Sequence, residues 1–315
     1  MSSFVGKTKA LSAIFICVLS FTSTAFAEIK TVVLISVDGL GEHLLAVSRT
    51  PEIDRLSREG MKAPKAVTIR PTQTIPGHIS MLSGLDPARH QNTENELGDT
   101  LRHAKVPLIF DLLKIHGFSS IAVVGKEKLQ FVLDKGSIAE IRLRTWPVLG
   151  DLASRSPNYI EREAIKAIHS TPRPSFIFLH FALPDTIGHW FQWETPIQAL
   201  SVRWVDHAIG AIFNELQKTL EPESFVVIVT ADHGGHAGSH GQTTNGKLED
   251  EQKDLYIPWI IYGAKLKPGI SLVHIEDTAP TIAALFGLKV PESWEWQGHS
   301  VVDVPNQKAT RPRAN

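Results

Sequence analysis

Acidic and histidine residues recur along the chain at spacings that suit metal binding. Asp185 and His189 are four residues apart, which places both side chains on one face of a helix, as two ligands of one cation require. Without other evidence such residues are more often a surface pair. The run Asp232-His233-Gly234-Gly235-His236 is more specific, because an adjacent carboxylate and imidazole can both turn into a cleft over a glycine-rich backbone.

The composition limits which side chains could bind such a metal. Cys17 is the only cysteine and lies near the N-terminus, so the ligands would be His, Asp and Thr. His233, His236 and His240 fall within eight residues, which argues against the alternative of a turn that binds nothing. Asp38 follows an almost wholly apolar run, where an unpaired carboxylate is costly to bury. A cation would offset its charge, as would a capping role or a proton shared with another acid.

The first 27 residues have the pattern of a secretory signal peptide. Lys7 and Lys9 give a positive start, residues 10–19 are almost wholly apolar, and Ala25-Phe26-Ala27 is a small-x-small cleavage site. The apolar run is well short of the ~20 residues that cross a bilayer, so we expect cleavage rather than a retained membrane anchor. The mature chain would then begin near Glu28, without a transmembrane span, and be exported to the periplasm or secreted.

The alternation of apolar and helical segments predicts the strands and helices that must position the candidate metal ligands. This order predicts an α/β fold, a three-layer sandwich with a mainly parallel central sheet and helices on both faces. Parallel strands are predicted at residues 31–37, 119–124, 175–181 and 225–230, with a fifth at 257–262. Helices are predicted at residues 51–59, 108–116, 158–168, 196–219 and 277–286.

One large domain is expected to cover residues 28–315, with a frayed polar tail from about residue 307. The formal net charge is −1 and no long basic block occurs before that tail, which argues against a nucleic-acid surface. The expected partner is a small molecule. Oligomeric state does not follow from the sequence.

Three predicted strands end in residues suited to chemistry. Asp38 follows the first, Asp185 comes soon after the third, and Asp232-His233 follows the fourth. In open α/β sheets the ligand site lies beyond the carboxyl ends of the strands. The candidate ligands are therefore expected to converge on one edge of the sheet.

Four ordered segments resemble the motifs of a known family. They are Val37-Asp38-Gly39, the Pro-Thr-Gln-Thr-Ile-Pro-Gly-His run at 71–78, the Pro-Asp-Thr-Ile-Gly-His run at 184–189, and Asp232-His233-Gly234. In this order they resemble the motifs of the nucleotide pyrophosphatase/phosphodiesterases of the alkaline phosphatase superfamily. The likeness extends over almost all of the chain after the leader, and it implies an alkaline phosphatase-like fold.

The resemblance also implies a site for two divalent metal ions, usually zinc, with manganese as an alternative. One ion would be held by Asp38, Thr74, Asp232 and His233. The other would be held by Asp185, His189 and a third histidine. We choose His240 for that position, because related enzymes carry a ligand shortly after the Asp-His pair and before the next strand. His236 and His299 are the alternatives.

Thr74 is the nucleophile that the resemblance implies. Considered alone it would more often be a helix cap or a turn residue. The resembling enzymes follow this threonine with Phe-Pro-Asn, whereas this chain has Ile75-Pro76-Gly77, so the pocket lining departs from the pattern. Coordination to zinc ionises a threonine hydroxyl without a separate general base. Asn95 lies 21 residues after Thr74, where the resembling enzymes place a phosphate-binding asparagine.

The implied reaction is hydrolysis of phosphodiester or pyrophosphate bonds in a phosphate ester or nucleotide-like substrate, through a phosphothreonine intermediate. Phosphomonoesterases, phosphonate hydrolases, sulfatases and mutases share the same metal core, so the fold does not decide among them. A threonine nucleophile argues against a sulfatase, and the absence of a large insert argues against a mutase. A member that binds metal and a phosphorylated ligand without turnover is a further alternative.

Several residues near the motifs are open to two interpretations. A monoesterase is expected to add an arginine or lysine beside the phosphate, and Arg70 and Arg89 flank the nucleophile motif. Asp206 and His207 lie on a long helical stretch and are interpreted as structural. Four further residues near the motifs could either line the substrate cleft or pack in the core: His78, Trp190, Phe191 and Trp193.

Overall fold

The computed structural model describes residues 28–96, 104–133, 136–143, 156–241 and 247–303. The predicted signal peptide and the tail from about residue 307 lie outside the described residues. Strands in the described part are β1 Thr31–Val37, β2 Met61–Lys62, β3 Ala66–Val67, β4 Ser120–Val123, β5 Glu140–Arg142, β6 Phe176–Phe181, β7 Phe225–Thr230, β8 Trp259–Tyr262, β9 Lys265–Leu266, β10 Val273–His274 and β11 Val302–Asp303.

The helices are α1 Glu42–Val47, α2 Pro51–Glu59, α3 Thr74–Ser83, α4 Pro87–His90, α5 Ile109–Ile115, α6 Glu127–Leu133, α7 Pro157–Ile168, α8 Leu183–Phe191, α9 Pro196–Thr219, α10 Leu248–Leu255 and α11 Thr278–Leu285. Short 3₁₀ helices cover Ile275–Asp277 and Glu292–Trp294. The bounds of β1, β7, α2 and α9 are those predicted from the sequence, and the other predicted elements start or end within one or two residues of their prediction.

Seven strands of the described residues form the central sheet, in the order β2-β8-β7-β1-β6-β4-β5. The strands from β7 to β5 are parallel to their neighbours. The helices form two packed groups, with α2, α7 and α8 against α9, and α3, α5 and α11 against one another. The predicted α/β sandwich with a mainly parallel sheet and helices on both faces is confirmed.

The predicted fifth parallel strand is wrong in its direction. β8 begins at Trp259 and runs antiparallel to β7, with Thr230 opposite Trp259. The described residues between these two strands include a contact that joins both ends of the connection, since the Gly234 N–H donates to the Asp254 carbonyl. Without a crossover to the opposite edge, β8 re-enters the sheet beside the end of β7, and this connection gives an antiparallel pair.

The central strands are buried on both faces. Every residue of β1, β6 and β7 is buried, which explains why their sequences are continuous apolar runs rather than alternating ones. Polar residues within these runs therefore stand out, and Ser36 and His180 are two of them.

Glycine is required where the strand ends crowd together. Gly39 has a φ of +75°, and a Cβ there would lie 3.0 Å from the Cα and Cβ of Asp185. A Cβ on Gly77 would lie 2.9 Å from the Asp232 carbonyl oxygen. The two glycines let α8 and α3 approach the ends of β1 and β7 closely enough to bring their polar residues together.

No helix in the described ranges is long and apolar enough to cross a membrane.

Asp206 on α9 joins two helices by capping α2. Its Oδ1 accepts hydrogen bonds from the backbone N–H of Glu52 at 3.1 Å and of Ile53 at 2.8 Å. These donors belong to the first turn of α2 and have no acceptor within that helix. The neighbouring His207 is exposed.

We expect Asp206→Ala to lower the free energy of unfolding by about 1 to 2 kcal/mol, because the first turn of α2 loses its acceptor. Asp206→Asn keeps an oxygen in the same place and should cost clearly less. Urea unfolding followed by circular dichroism measures both. Equal losses in the two variants would contradict the capping role.

Candidate metal centre

The carboxyl edge of the sheet brings the predicted ligands together. Asp38 follows β1, Asp232 and His233 follow β7, and α8 after β6 carries Asp185 and His189 on one face. Thr74 is the first residue of α3, and His240 lies in the loop between β7 and α10. We call Asp38, Thr74, Asp232 and His233 the first half-site, and Asp185, His189 and His240 the second half-site.

The carboxylates and the imidazole of the first half-site are buried, and Thr74 is its member that borders the cleft. Asp38, Asp232 and His233 are fully buried and Thr74 is 1% exposed. The His233 Nε2 lies 3.5 Å from Asp38 Oδ1 and 3.4 Å from Asp232 Oδ2. The His233 Nδ1–H donates to the Gly234 carbonyl at 2.7 Å, which leaves Nε2 facing the two carboxylates.

The second half-site opens towards the surface. The Asp185 Oδ1 lies 3.4 Å from His189 Nε2 and 3.5 Å from His240 Nε2, and the two imidazole nitrogens are 3.0 Å apart. The His240 Nδ1–H donates to the Thr72 carbonyl at 2.7 Å, which leaves Nε2 facing this group. Burial and then the neighbouring His233 lower the pKa of His240 to about 3, so this nitrogen is unprotonated at neutral pH.

The donor atoms fit metal ions. Among the described residues, Asp38 Oδ1, Asp185 Oδ1, Asp232 Oδ2 and His233 Nε2 are buried without a hydrogen bond. A tetrahedral ion with bonds of ~2.0 to 2.1 Å holds its ligands ~3.3 Å apart. The separations of donor atoms in the second half-site, and those from His233 to the two carboxylates of the first, are close to this value. Asp185 also groups with Asp38 and His233, so the two half-sites adjoin. Carboxylate and imidazole donors suit zinc and manganese alike.

The negative charge of the cluster also favours the binding of metal ions. Burial, followed by the neighbouring Asp38 carboxylate, raises the pKa of Asp232 to about 7. Asp38 and Asp185 are also buried, so three acidic groups share one small volume. Without cations one of them must take up a proton.

His180 on β6 orients Asp38. The Gly125 N–H donates to His180 Nδ1 at 3.1 Å, so the ring proton is on Nε2, which donates to Asp38 Oδ2 at 2.9 Å. That bond leaves Oδ1 of Asp38 to face the first half-site. A histidine that holds a ligating carboxylate in this way is typical of the groups that surround metal ligands.

Hydrogen bonds and burial distinguish the three candidate histidines. His236 Nδ1 pairs with Asp254 Oδ1 at 2.7 Å and lies outside both half-sites. His299 is exposed, and its backbone N–H donates to Asp277. Asp254 Oδ2 accepts from the Gly241 N–H at 3.2 Å, which ties down the backbone beside His240. The geometry thus favours His240 over the two alternatives as third ligand.

Lys126 is a site residue that the sequence reasoning missed. Its ammonium lies 2.7 Å from Asp38 Oδ2, 2.6 Å from Asp185 Oδ2 and 3.1 Å from the Thr74 Oγ1. Burial alone would lower its pKa, but Asp185 and Asp38 raise the pKa of Lys126 well above the usual range of lysine. The side chain is therefore a permanent cation between the two half-sites.

Thr74 and Asn95 face a cleft of about 580 Å³ that also borders Lys126, Asp185, His189 and His240. The Asn95 Oδ1 accepts from the Ile75 N–H at 3.1 Å. Because that bond uses the side-chain oxygen, the amide Nδ2 remains as the donor of this side chain.

Other candidate residues lie away from the cleft. His78 is fully buried, donating from Nδ1 to the Thr74 carbonyl at 2.7 Å and pairing through Nε2 with Ser36 Oγ at 2.9 Å. Trp193 is 4% exposed and packs edge-on against His189. These two residues support the site rather than line it. Trp190 and Phe191 are exposed and border a different cavity, on the opposite face of α8.

Two signals in the sequence pointed to the missed residues. His180 interrupts the apolar run of β6, and Lys126 follows β4 at the edge where ligands gather. Neither signal was specific enough alone, since a buried histidine can be an ordinary core residue and a lysine after a strand is usually a solvated turn residue.

Comparison with known proteins places these features in a family. The sequence pattern of the family "Type I phosphodiesterase / nucleotide pyrophosphatase" matches residues 32–108 and 129–291. A 2,3-bisphosphoglycerate-independent phosphoglycerate mutase of Hydrogenovibrio crunogenus is 31% identical over 147 residues, which is 46% of this chain and 26% of the mutase. The human ectonucleotide pyrophosphatase/phosphodiesterase family member 7 is 22% identical over 214 residues, 64% of this chain and 47% of its own. The chain thus spans less than half of these relatives.

Solved structures show the same fold. Murine ectonucleotide pyrophosphatase/phosphodiesterase 5 superposes with a TM-score of 0.65 at 14% identity, covering 87% of this chain and all of the murine chain (100%). A putative sulfatase from Bacteroides thetaiotaomicron superposes with a TM-score of 0.69 at 15% identity, covering 87% of this chain and 74% of the sulfatase. The family pattern covers more than half of the chain and includes Asp38, Thr74 and Asp232. The chain therefore belongs to the type I phosphodiesterase / nucleotide pyrophosphatase family.

Proposed function

We propose that this protein is a metal-dependent hydrolase of phosphate esters or phosphoanhydrides, with Thr74 as its nucleophile. The observation that carries the proposal is the position of Thr74. Its hydroxyl lies at the start of α3, in the cleft, beside two groups of inward-facing Asp and His donors. Family membership supports phosphodiester or pyrophosphate bonds as the bonds that are cleaved.

The half-sites would hold two divalent ions, with zinc as the first candidate. When bound, the metals supply positive charge that lowers the pKa of the Thr74 hydroxyl and offsets charge on the leaving oxygen. The ligands of the first half-site would hold an ion next to the nucleophile. The more open second half-site lies on the cleft side, where the rest of the substrate enters.

Thr74 attacks phosphorus in the proposed first step. The hydroxyl proton leaves to solvent, the Oγ1–P bond forms, and the bond from phosphorus to the leaving oxygen breaks with its electron pair. In the second step water adds to phosphorus, the Oγ1–P bond breaks, and Thr74 regains a proton. The sum is hydrolysis of one P–O bond.

The start of α3 supports binding of the phosphoryl group. Thr74 is the first residue of this ten-residue helix, so its N–H has no acceptor within the helix and faces the same end as the hydroxyl. The helix dipole favours an anion at this end. Asn95 Nδ2 adds a side-chain donor on the same cleft, and such preset donors stabilise charge that develops during transfer.

The cleft volume suits a small-molecule substrate, since ligand pockets commonly measure ~300 to 1,000 Å³. Export to the periplasm or the exterior, through the predicted signal peptide, is part of the proposal. The single domain over residues 28–315 also remains a prediction, and within the described residues the buried apolar side chains form one continuous core.

The first test concerns the nucleophile. Thr74→Ala should lower kcat/KM on bis-p-nitrophenyl phosphate by about 10³-fold or more, because no oxygen remains to attack. Thr74→Ser should keep measurable turnover and form an acid-stable phosphoryl adduct, visible by mass spectrometry of the quenched protein. Full activity of Thr74→Ala would remove this nucleophile.

The second test concerns the ligands. After dialysis against zinc and then buffer, mass spectrometry of the metal should find about two ions per wild-type chain. His240→Ala should retain about one, because the second half-site loses a ligand. His299→Ala is the matched control and should keep both ions. Loss of metal in His299→Ala but not in His240→Ala would reverse the ligand assignment.

A further inference from the structure

The cation beside the nucleophile bears on which phosphoryl groups the site accepts, and this inference rests on the proposed function. Arginines near the nucleophile motif do not supply that cation. Arg70 is exposed and pairs with Glu251, and Arg89 is exposed and lies 4.0 Å from Glu295. The cleft-lining residues do not include either arginine.

The cation that lies beside the nucleophile is Lys126. It extends from the turn after β4, and only 7% of its side chain is exposed. Two carboxylates hold its ammonium from one side, Asp38 at 2.7 Å and Asp185 at 2.6 Å, and its third contact is the Thr74 oxygen at 3.1 Å. The ammonium is thus fixed at the atom that would bond to phosphorus.

Lys128 does not share this position, although it borders the same cleft. Its ammonium lies 2.9 Å from the Asn95 carbonyl and 3.4 Å from Glu96 Oε1. It therefore contacts the loop that carries Asn95 rather than the nucleophile. Of these two lysines, Lys126 is the one whose ammonium contacts the reacting atom.

We propose that Lys126 makes the site select phosphoryl groups with two negative charges, as in phosphate monoesters, over the singly charged group of a diester. A phosphoryl group seated on Thr74 places a non-bridging oxygen next to the ammonium. A monoester has three such oxygens sharing two charges, whereas in a diester one of them carries a substituent and only one charge remains. An ammonium that is held in place and shielded from water discriminates strongly between these cases.

A monoester would be hydrolysed through the same two steps as in the proposed mechanism. With a monoester, Oγ1 of Thr74 bonds to phosphorus and the alcohol leaves with the electron pair and takes a proton from solvent. Water then releases inorganic phosphate. Lys126 keeps its proton throughout and pairs with a non-bridging oxygen in both steps.

The experiment compares p-nitrophenyl phosphate with bis-p-nitrophenyl phosphate, which share a leaving group. The zinc-loaded wild type should favour the monoester in kcat/KM. In Lys126→Met the monoester value should fall by at least about 100-fold and the diester value by less than about tenfold. Lys218→Met, which removes an exposed lysine at the end of α9, is the control for loss of one charge and should leave the ratio unchanged.

Chemical restoration of the ammonium at position 126 distinguishes loss of the charge from misfolding of the variant. Cys17 is the only cysteine and lies in the predicted signal peptide, so Lys126→Cys in the chain from Glu28 onwards has one thiol. Alkylation of this thiol with 2-bromoethylamine in urea, followed by refolding with zinc, puts an ammonium back at nearly the same distance. The inference requires the monoester preference to return after alkylation and to be absent in the unmodified variant at equal zinc content.

Calorimetry supplies a readout that does not need turnover. The wild type should bind inorganic phosphate more tightly than dimethyl phosphate, and Lys126→Met should remove most of that difference. If neither ester is hydrolysed but this difference is seen, the selectivity stands and the proposed hydrolysis fails. Preference of the wild type for the diester, or equal losses on both substrates in Lys126→Met, would overturn the role of Lys126.

Discussion

Three acidic side chains buried against one another at the carboxyl edge of the sheet are the constraint on which the rest of the site depends. Asp38, Asp185 and Asp232 come from three separate elements, and each is almost fully removed from water. Their repulsion is tolerable only with positive charge among them, and the structure surrounds them with it. His233 and Lys126 lie within the cluster, and unpaired donor atoms face inward where metal ions would complete the balance.

The surrounding structure serves this cluster. The parallel strands bring their carboxyl ends to one edge, and Gly39 and Gly77 allow the following helices to approach that edge closely. His180 fixes the orientation of Asp38, and Asp254 fixes the backbone beside His240. Thr74 is held at the start of a buried helix whose first N–H groups point at the same space. Helices thus position Thr74, Asp185 and His189, whereas Asp38, Asp232 and His233 lie just after the strand ends and His240 lies in a loop.

The sequence predicted the part of this arrangement that depends on local patterns. Continuous apolar runs predicted β1, β6 and β7, and the polar residues just after them predicted where the ligands meet. The direction of β8 did not follow, because an apolar run of four residues reads the same in either direction and only the path of the preceding loop sets it. Lys126 and His180 did not follow either. Their roles arise from contacts between distant parts of the chain, of Lys126 with Thr74 and Asp185 and of His180 with Asp38, that no spacing along the chain encodes.

The choice among His240, His236 and His299 likewise could not be made from spacing along the chain. All three were compatible with the sequence, and what separates them is a set of tertiary hydrogen bonds that turns one ring inward and engages another with Asp254. Substrate preference is even harder to predict from local sequence patterns. Proteins of one fold share the ligands and differ in the groups added around them, so one side chain such as Lys126 can change the class of ester that fits.

Anomalous diffraction at the zinc edge from crystals grown with zinc tests the central claim most directly, because it locates the ions without reference to activity. The account predicts two peaks, one bounded by Asp38, Asp232 and His233, the other by Asp185, His189 and His240. Zinc bound elsewhere on the protein, with these donors left without an ion, would contradict a catalytic metal centre at the edge of the sheet.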